Sequence, residues 1–297
     1  MKLATLSVSG RSVAALITDD GAMIDIAAAD PSLPGSLQAL IEGWDRHGAA
    51  VKALASGTAG RVNGEAKLLA PLPRPRRDIM CVGKNYHEHA KEFAGSGFDS
   101  SGAGQVVPTA PVIFTKATTS VSGPGDPIPA WKDPTASVDY EGELGIVIGR
   151  GGSEISKADA FEHVFGYMIV NDVTSRELQR KHQQWFIGKG IDGFCPCGPW
   201  LVTADDVPDA TALRLTTHVN GELRQDALVS DLIFDIPTLI ETISAAVTLE
   251  PGDIIATGTP AGVGIGFSPP RYLVDGDVVR VEITGLGVLE NRVTTQR

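Results

Sequence analysis

The sequence predicts an α+β protein that is mostly β, with a small β-rich domain over residues 1–75 and a larger domain over residues 76–297. Short β-prone runs broken by turn residues dominate the chain, helical spacing appears in only a few segments, and a proline-rich stretch separates the two parts. In the first part Leu3–Val8, Val13–Thr18 and Ala22–Ile26 are strand candidates, divided by polar or glycine-containing turns. Leu37, Leu40, Ile41 and Trp44 then fall at helical spacing and predict a helix near 37–55. Pro71-Leu-Pro-Arg-Pro-Arg-Arg77 follows, and because proline fixes φ and removes a donor, it reads as a linker.

The second part opens with an apolar run, Ile79–Val82, and a segment from about Asn85 that can be helical. Gly95–Val107 is rich in Gly and Ser, so a short helix on flexible flanks suggests a lid. Strand candidates then dominate: Pro111–Thr115, Glu143–Ile148, Phe165–Val170, Leu213–Val219, Asp253–Thr257 and Val278–Ile283. Asn220-Gly221 between two such runs is a type I′ hairpin signal. Helices are expected near Ser175–Gln184 and near Ile236–Val247, the latter with a proline in its first turn.

The 297 residues include 36 acidic and 25 basic side chains, a net charge of −11, which argues against nonspecific nucleic-acid binding. A local Lys/Arg cluster can still hold an anionic substrate against that field. Three cysteines, Cys81, Cys195 and Cys197, make no disulfide framework, so a reducing, cytoplasmic location is expected. The N-terminus lacks the long apolar core of a signal peptide, and no apolar run is long enough to predict a membrane span.

The sharpest chemical signal is Tyr140-Glu141-Gly-Glu143-Leu-Gly-Ile-Val-Ile-Gly149. Along a strand Glu141 and Glu143 point to the same face, where two carboxylates repel unless a cation lies between them. A hard divalent cation such as Mg²⁺ or Mn²⁺ is the natural solution; a solvated edge strand is the bland one. A third acid, Asp172, ends the apolar run Gly166–Asn171, where it can complete a metal site or cap the following helix. His89 and Glu92 are spaced to share a helix face, so Glu92 can orient the imidazole, although the stretch is also charged enough to be a solvated face. Lys189 lies between two glycines that let the backbone approach a ligand. Cys195-Pro-Cys197 lacks the second pair of a zinc site and reads as packing or loop residues. The glycine-rich stretch at 258–264 has no phosphate-loop Lys, and no Gly-x-Ser-x-Gly elbow is present.

These residues stand in words that resemble the fumarylacetoacetate hydrolase family. Glu141-x-Glu143 followed by Asp172 resembles its metal triad. Asn171-Asp-Val-Thr-Ser-Arg-Glu-Leu-Gln179, Gly188-Lys-Gly190, Asp192-Gly-Phe-Cys-Pro196, Val219-Asn-Gly-Glu-Leu-Arg-Gln225 and Gly252–Gly264 match in order. The likeness spans roughly residues 78–293, and the first 75 residues are similar to the small accessory domain of bacterial members. It implies a mixed β-roll or β-sandwich catalytic domain, often a homodimer, with Glu141, Glu143 and Asp172 holding Mg²⁺ or Mn²⁺. It further implies a His89–Glu92 catalytic pair and Lys189 stabilising negative charge on substrate oxygen. Arg176, Gln179, Thr259 and Lys116 match positions at or near the substrate. The longer eukaryotic members bring a fourth acid from before the catalytic His; Asp78-Ile-Met-Cys-Val-Gly-Lys84 has none at that offset, so three protein ligands are expected.

The implied activity is a metal-dependent hydrolase cleaving a C–C bond in a small 2,4-dioxo acid (an acylpyruvate or fumarylpyruvate) through a metal-stabilised enolate, as in aromatic catabolism. The same intermediate serves an oxaloacetate decarboxylase, a tautomerase, or a dienoate isomerase or hydratase. A non-catalytic metal- or ligand-binding protein on this scaffold would lose the base or the lysine, and His89, Glu92 and Lys189 are all present. The acyl group is expected to be selected by 93–107 and by the loop Ile265–Tyr272.

Overall fold

The computed structural model describes residues 1–98 and 106–296. Two β-sheets form the frame. The larger has eleven strands. Its main path runs Met23–Asp25, Arg11–Ile17, Lys2–Val8, Cys195–Thr203, Val164–Asn171, Gly142–Ile148, Ile254–Ala256, Ile79–Gly83 and Val112–Lys116. The smaller has five, in the order Glu222–Leu228, Arg214–Val219, Val278–Ile283, Gly287–Thr294 and Ile128–Pro129. Most pairings are antiparallel, but Ile254–Ala256 runs parallel to Ile79–Gly83, which makes the large sheet mixed.

Side-chain alternation explains how the layers stack. Ile146, Ile148, Tyr167 and Ile169 project to one face and pack with Leu215, Val279, Val281 and Leu289 of the small sheet. Val147, Phe165, Met168 and Val170 project to the other face, beneath Leu37, Leu40 and Ile41. Both faces of the two central strands are covered, so they read as continuous apolar runs rather than as alternating ones.

The N-terminal strands join the large sheet: Lys2 and Leu3 pair antiparallel with Val202 and Leu201. The proline-rich segment 71–77 is packed rather than loose. Thr5 Oγ1 donates to Pro71 O, Leu72 is buried, and Arg76 and Arg77 pair with Glu42 and Asp253. The helix expected over 37–55 is two helices, Leu37–Glu42 and Trp44–Leu54, because Gly43 ends the first and N-caps the second. The hairpin at Asn220-Gly221 has both residues at positive φ, 53° and 82°, as its turn type requires. Cys195 and Cys197 lie buried in a strand rather than a loop, their sulfurs 3.8 Å apart. The lid expectation for Gly95–Val107 falls mainly on residues 99–105, outside the described residues. None of the described helices is long and apolar enough to cross a membrane.

Candidate active site

The functional side chains gather where central strands of the large sheet end. Glu143 lies in the strand Gly142–Ile148, opposite Val170, and Asp172 follows directly after its partner strand. The Asp172 N–H donates to the Glu141 carbonyl at 2.8 Å, which ties the two strand ends together. Oxygens of Glu141, Glu143 and Asp172 all lie within 4.8 Å of one another, and all three residues are buried. The edge-strand alternative therefore fails. So does helix capping by Asp172: the next helix, Arg176–His182, has Ser175 at its N-cap, and the Asp172 carboxylate faces two lysines.

Lys189, Lys116 and Arg176 meet these acids. Lys189 Nζ donates to Glu141 Oε2 at 2.8 Å and to Asp172 Oδ2 at 2.7 Å. Lys116 Nζ donates to Asp172 Oδ1 at 2.6 Å, to Val173 O at 3.0 Å and to Lys189 O. Arg176 Nη1 lies 2.6 Å from Glu141 Oε1, and Arg176 Nε donates to Asp139 Oδ2 at 2.9 Å. Burial alone would raise the Glu141 carboxyl, but Lys189 and Arg176 outweigh it and hold it at about 2. Glu143 differs. Burial, then Asp172 and Glu141, push its carboxyl well above the usual range against the opposing pull of Lys189, and it accepts the Gly258 N–H at 2.9 Å.

A buried set of three hard oxygen donors this close together fits a divalent cation such as Mg²⁺ or Mn²⁺. Adding either ion to EDTA-stripped protein is expected to raise the unfolding midpoint, by the equivalent of about 2.7 kcal/mol at a hundred times Kd. Glu143→Gln removes most of that gain. A thermal shift assay showing no response of the wild type to either ion would overturn the fit.

Beside the acids lies a small pocket, with His89, Glu141, Arg176, Gln179, Lys189 and Thr259 on its polar side. Phe93, Phe114 and Trp185 form its apolar wall, Trp185 meeting both phenylalanines edge-on at 5.9 and 5.2 Å. His89 is carried by the helix His87–Gly95, whose buried face is His89, Ala90 and Phe93. The charged residues Glu88 and Lys91 pair with each other on the exposed face, and His87 is exposed. His89 Nδ1 lies 3.1 Å from Glu92 Oε2, while Glu92 Oε1 accepts the Gly262 N–H at 3.0 Å.

Arg176 and Gln179 lie on one helix face, Nη1 to Oε1 at 3.4 Å. Arg176 Nη2 is buried with no hydrogen-bond partner among the described residues. Gly188 serves packing: a Cβ there would lie 2.5 Å from the Gln179 backbone nitrogen, so glycine lets the short helix Phe186–Lys189 close on its neighbour.

Two residues matched to substrate positions are engaged inside the protein. Lys116 is not among the residues lining the pocket, and three donated bonds use its ammonium, so it supports Asp172 from behind. Thr259 lines the cavity, but its hydroxyl donates to Gly142 O and accepts from Gln225, so its proton is held inside the protein. Gln225 and Asp139 are buried members of the site that the motif reading passed over. Asp139 was legible, because Asp139, Glu141 and Glu143 recur with the two-residue period of a strand. Gln225 closes the matched word Val219–Gln225 but carried no chemical signal of its own.

Residues 78–294 match the family model described as fumarylacetoacetate (FAA) hydrolase, C-terminal. The chain belongs to the fumarylacetoacetate hydrolase family. Among relatives in this family it is 45% identical to oxaloacetate tautomerase YisK of Bacillus subtilis, over 99% of this chain and 100% of that protein. The fold is similar to that of a fumarylacetoacetate hydrolase from Exiguobacterium antarcticum, with a TM-score of 0.83 and 42% identity over the whole of both chains. It is also similar to maleylpyruvate hydrolase from Sphingobium sp. SYK-6, solved with manganese(II) and pyruvate, with a TM-score of 0.78 and 35% identity over 99% of each chain. The family is enzymatic and includes hydrolases, isomerases and a tautomerase.

Proposed function

We propose that this protein interconverts the keto and enol forms of a small 2-oxo diacid of the oxaloacetate type, with a divalent cation held by Glu141, Glu143 and Asp172. The observation that carries the reading is Arg176. Its buried Nη2 has no acceptor among the described residues, and the side chain lines the same pocket as His89 and Glu141. A carboxylate or enolate oxygen supplies that acceptor, and leaving such a donor unmet is costly.

When bound, the cation supplies Lewis acidity toward the 2-oxo acid. The protein's own groups handle the proton. Glu92 fixes His89 through Nδ1, leaving Nε2 to take a proton from the carbon beside the 2-oxo group. The C–H electron pair moves into the new C=C bond, and negative charge collects on the former carbonyl oxygen. Arg176 and Lys189 provide the positive field for that charge. Delivery of the proton to oxygen completes the enol, and the reverse sequence restores the keto form.

The 45% identity with an oxaloacetate tautomerase over essentially the whole chain favours this proton transfer over C–C cleavage. Hydrolysis of a 2,4-dioxo acid is the second reading, favoured by the likeness to maleylpyruvate hydrolase, with His89 then taking its proton from water. Stripped protein is given Mn²⁺ or Mg²⁺ and offered oxaloacetate and acetylpyruvate in parallel. Faster exchange of oxaloacetate enol absorbance, with no pyruvate formed, is the expected result. Pyruvate from oxaloacetate would move the assignment to decarboxylase. Acetate and pyruvate from acetylpyruvate, without faster enol exchange, would replace it with the hydrolase reading.

A further inference from the structure

We propose that Asp139 is a positioning residue that aims Arg176 into the cavity, acting with a glycine strap, residues 258–266, that orients three carboxylates of the site. Both Asp139 oxygens are fully engaged. Oδ2 accepts from Arg176 Nε at 2.9 Å and from the Ile265 N–H at 3.0 Å. Oδ1 accepts from the Gly264 N–H at 2.6 Å and from the Tyr140 N–H at 2.9 Å. Held at Nε by Asp139 and at Nη1 by Glu141, the planar guanidinium has one orientation, and Nη2 is the corner left for a ligand.

The strap makes Asp139 more than one half of an ion pair. Along it, Gly258 N–H serves Glu143, Gly262 N–H serves Glu92, and the Gly264 and Ile265 N–H groups serve Asp139. One loop thus connects the metal acids, the acid–base pair and the partner of the anion donor. The glycines permit its close approach. A Cβ on Gly264 would lie 2.6 Å from Asp139 Oδ1, and one on Gly266 would lie 1.8 Å from Glu92 Oε1. This accounts for a glycine-rich stretch that matched no phosphate-binding motif. An asparagine at 139 would set an NH₂ group against N–H donors, so the neutral isostere cannot reproduce the network.

The inference rests on Arg176 meeting an anionic oxygen, as in the proposed function, but its test does not need turnover. Pyruvate binding to Mn²⁺-loaded protein is measured by calorimetry for the wild type, Asp139→Asn, Arg176→Met and the double variant, with Mn²⁺ affinity measured separately. Asp139→Asn is expected to weaken pyruvate roughly ten- to hundred-fold, with Mn²⁺ affinity within about threefold of wild type. The double variant should be no more than about twofold worse than Arg176→Met alone, because both changes remove the same contact. Should Asp139→Asn fail to fold, Gly264→Ala carries the test, with weakened pyruvate and retained Mn²⁺ expected. Pyruvate binding within about twofold of wild type in the variant tested, or losses that add in the double variant, would overturn the proposal. A wild type that binds pyruvate in this Asp139-dependent way yet leaves oxaloacetate enol exchange unchanged would instead sink the proposed reaction and keep the inference.

Discussion

Replacing His89 with alanine is expected to slow the proposed metal-supported enol–keto exchange by roughly 10²–10⁴-fold, the usual contribution of a positioned general base. The imidazole is buried, its Nδ1 lies 3.1 Å from Glu92, and it lines the cavity that holds Glu141, Arg176 and Lys189. Glu92 is itself fixed at Oε1 by the Gly262 N–H, so the ring is held before substrate arrives. Glu92→Gln keeps the size but loses the charge that steadies an imidazolium, and a smaller loss is expected. Stopped-flow absorbance of the oxaloacetate enol measures both variants, and calorimetry with Mn²⁺ provides the control. Because His89 is outside the group of three acids, its removal should leave metal affinity nearly unchanged. A His89→Ala enzyme within tenfold of wild type would remove His89 from the chemistry.

Lys116→Met is expected to produce the largest loss of stability, roughly 3–5 kcal/mol in the metal-free protein, the usual cost of stripping one partner from a buried ion pair. Lys116 and Asp172 are both fully buried, and the ammonium also satisfies the carbonyls of Val173 and Lys189. Methionine fills similar space but strands those acceptors and leaves Asp172 with Lys189 alone among its described cation partners. If Asp172 is a metal ligand, Mn²⁺ should recover part of the loss, since added positive charge replaces what was removed. Urea denaturation with and without Mn²⁺ gives both numbers. A metal-free deficit below about 1 kcal/mol would mean that Lys116 is not the electrostatic support of Asp172. Equal deficits with and without metal would detach Asp172 from the ion.

The contrast between Lys116 and Arg176 marks the limit of reading side chains from motifs. Both match family positions, yet the ammonium of one is engaged by three acceptors inside the protein and the other keeps a buried Nη2 with no partner among the described residues. Linear spacing carries no information about which atoms of a long cation are already engaged. Thr259 makes the same point, since its hydroxyl proton goes to Gly142 O, a residue 117 positions away in the chain.

What the sequence determined by itself was whatever depends on local periodicity and on fixed short spacing. The two-residue period aligned Glu141 with Glu143. The three-residue helical spacing paired His89 with Glu92. Asn220-Gly221 specified a hairpin because few other dipeptides accept positive φ at both positions. Tertiary structure alone decided the rest, because those facts depend on residues distant in the chain meeting at strand ends. It joined the first strands to Cys195–Thr203 and packed the proline segment instead of leaving it a free linker. It turned the glycine-rich 258–266 stretch into a row of backbone donors for carboxylates that lie 115 to 170 positions earlier. A backbone N–H carries no residue identity, so its partner is chosen by how the sheets stack and cannot be read from the letters.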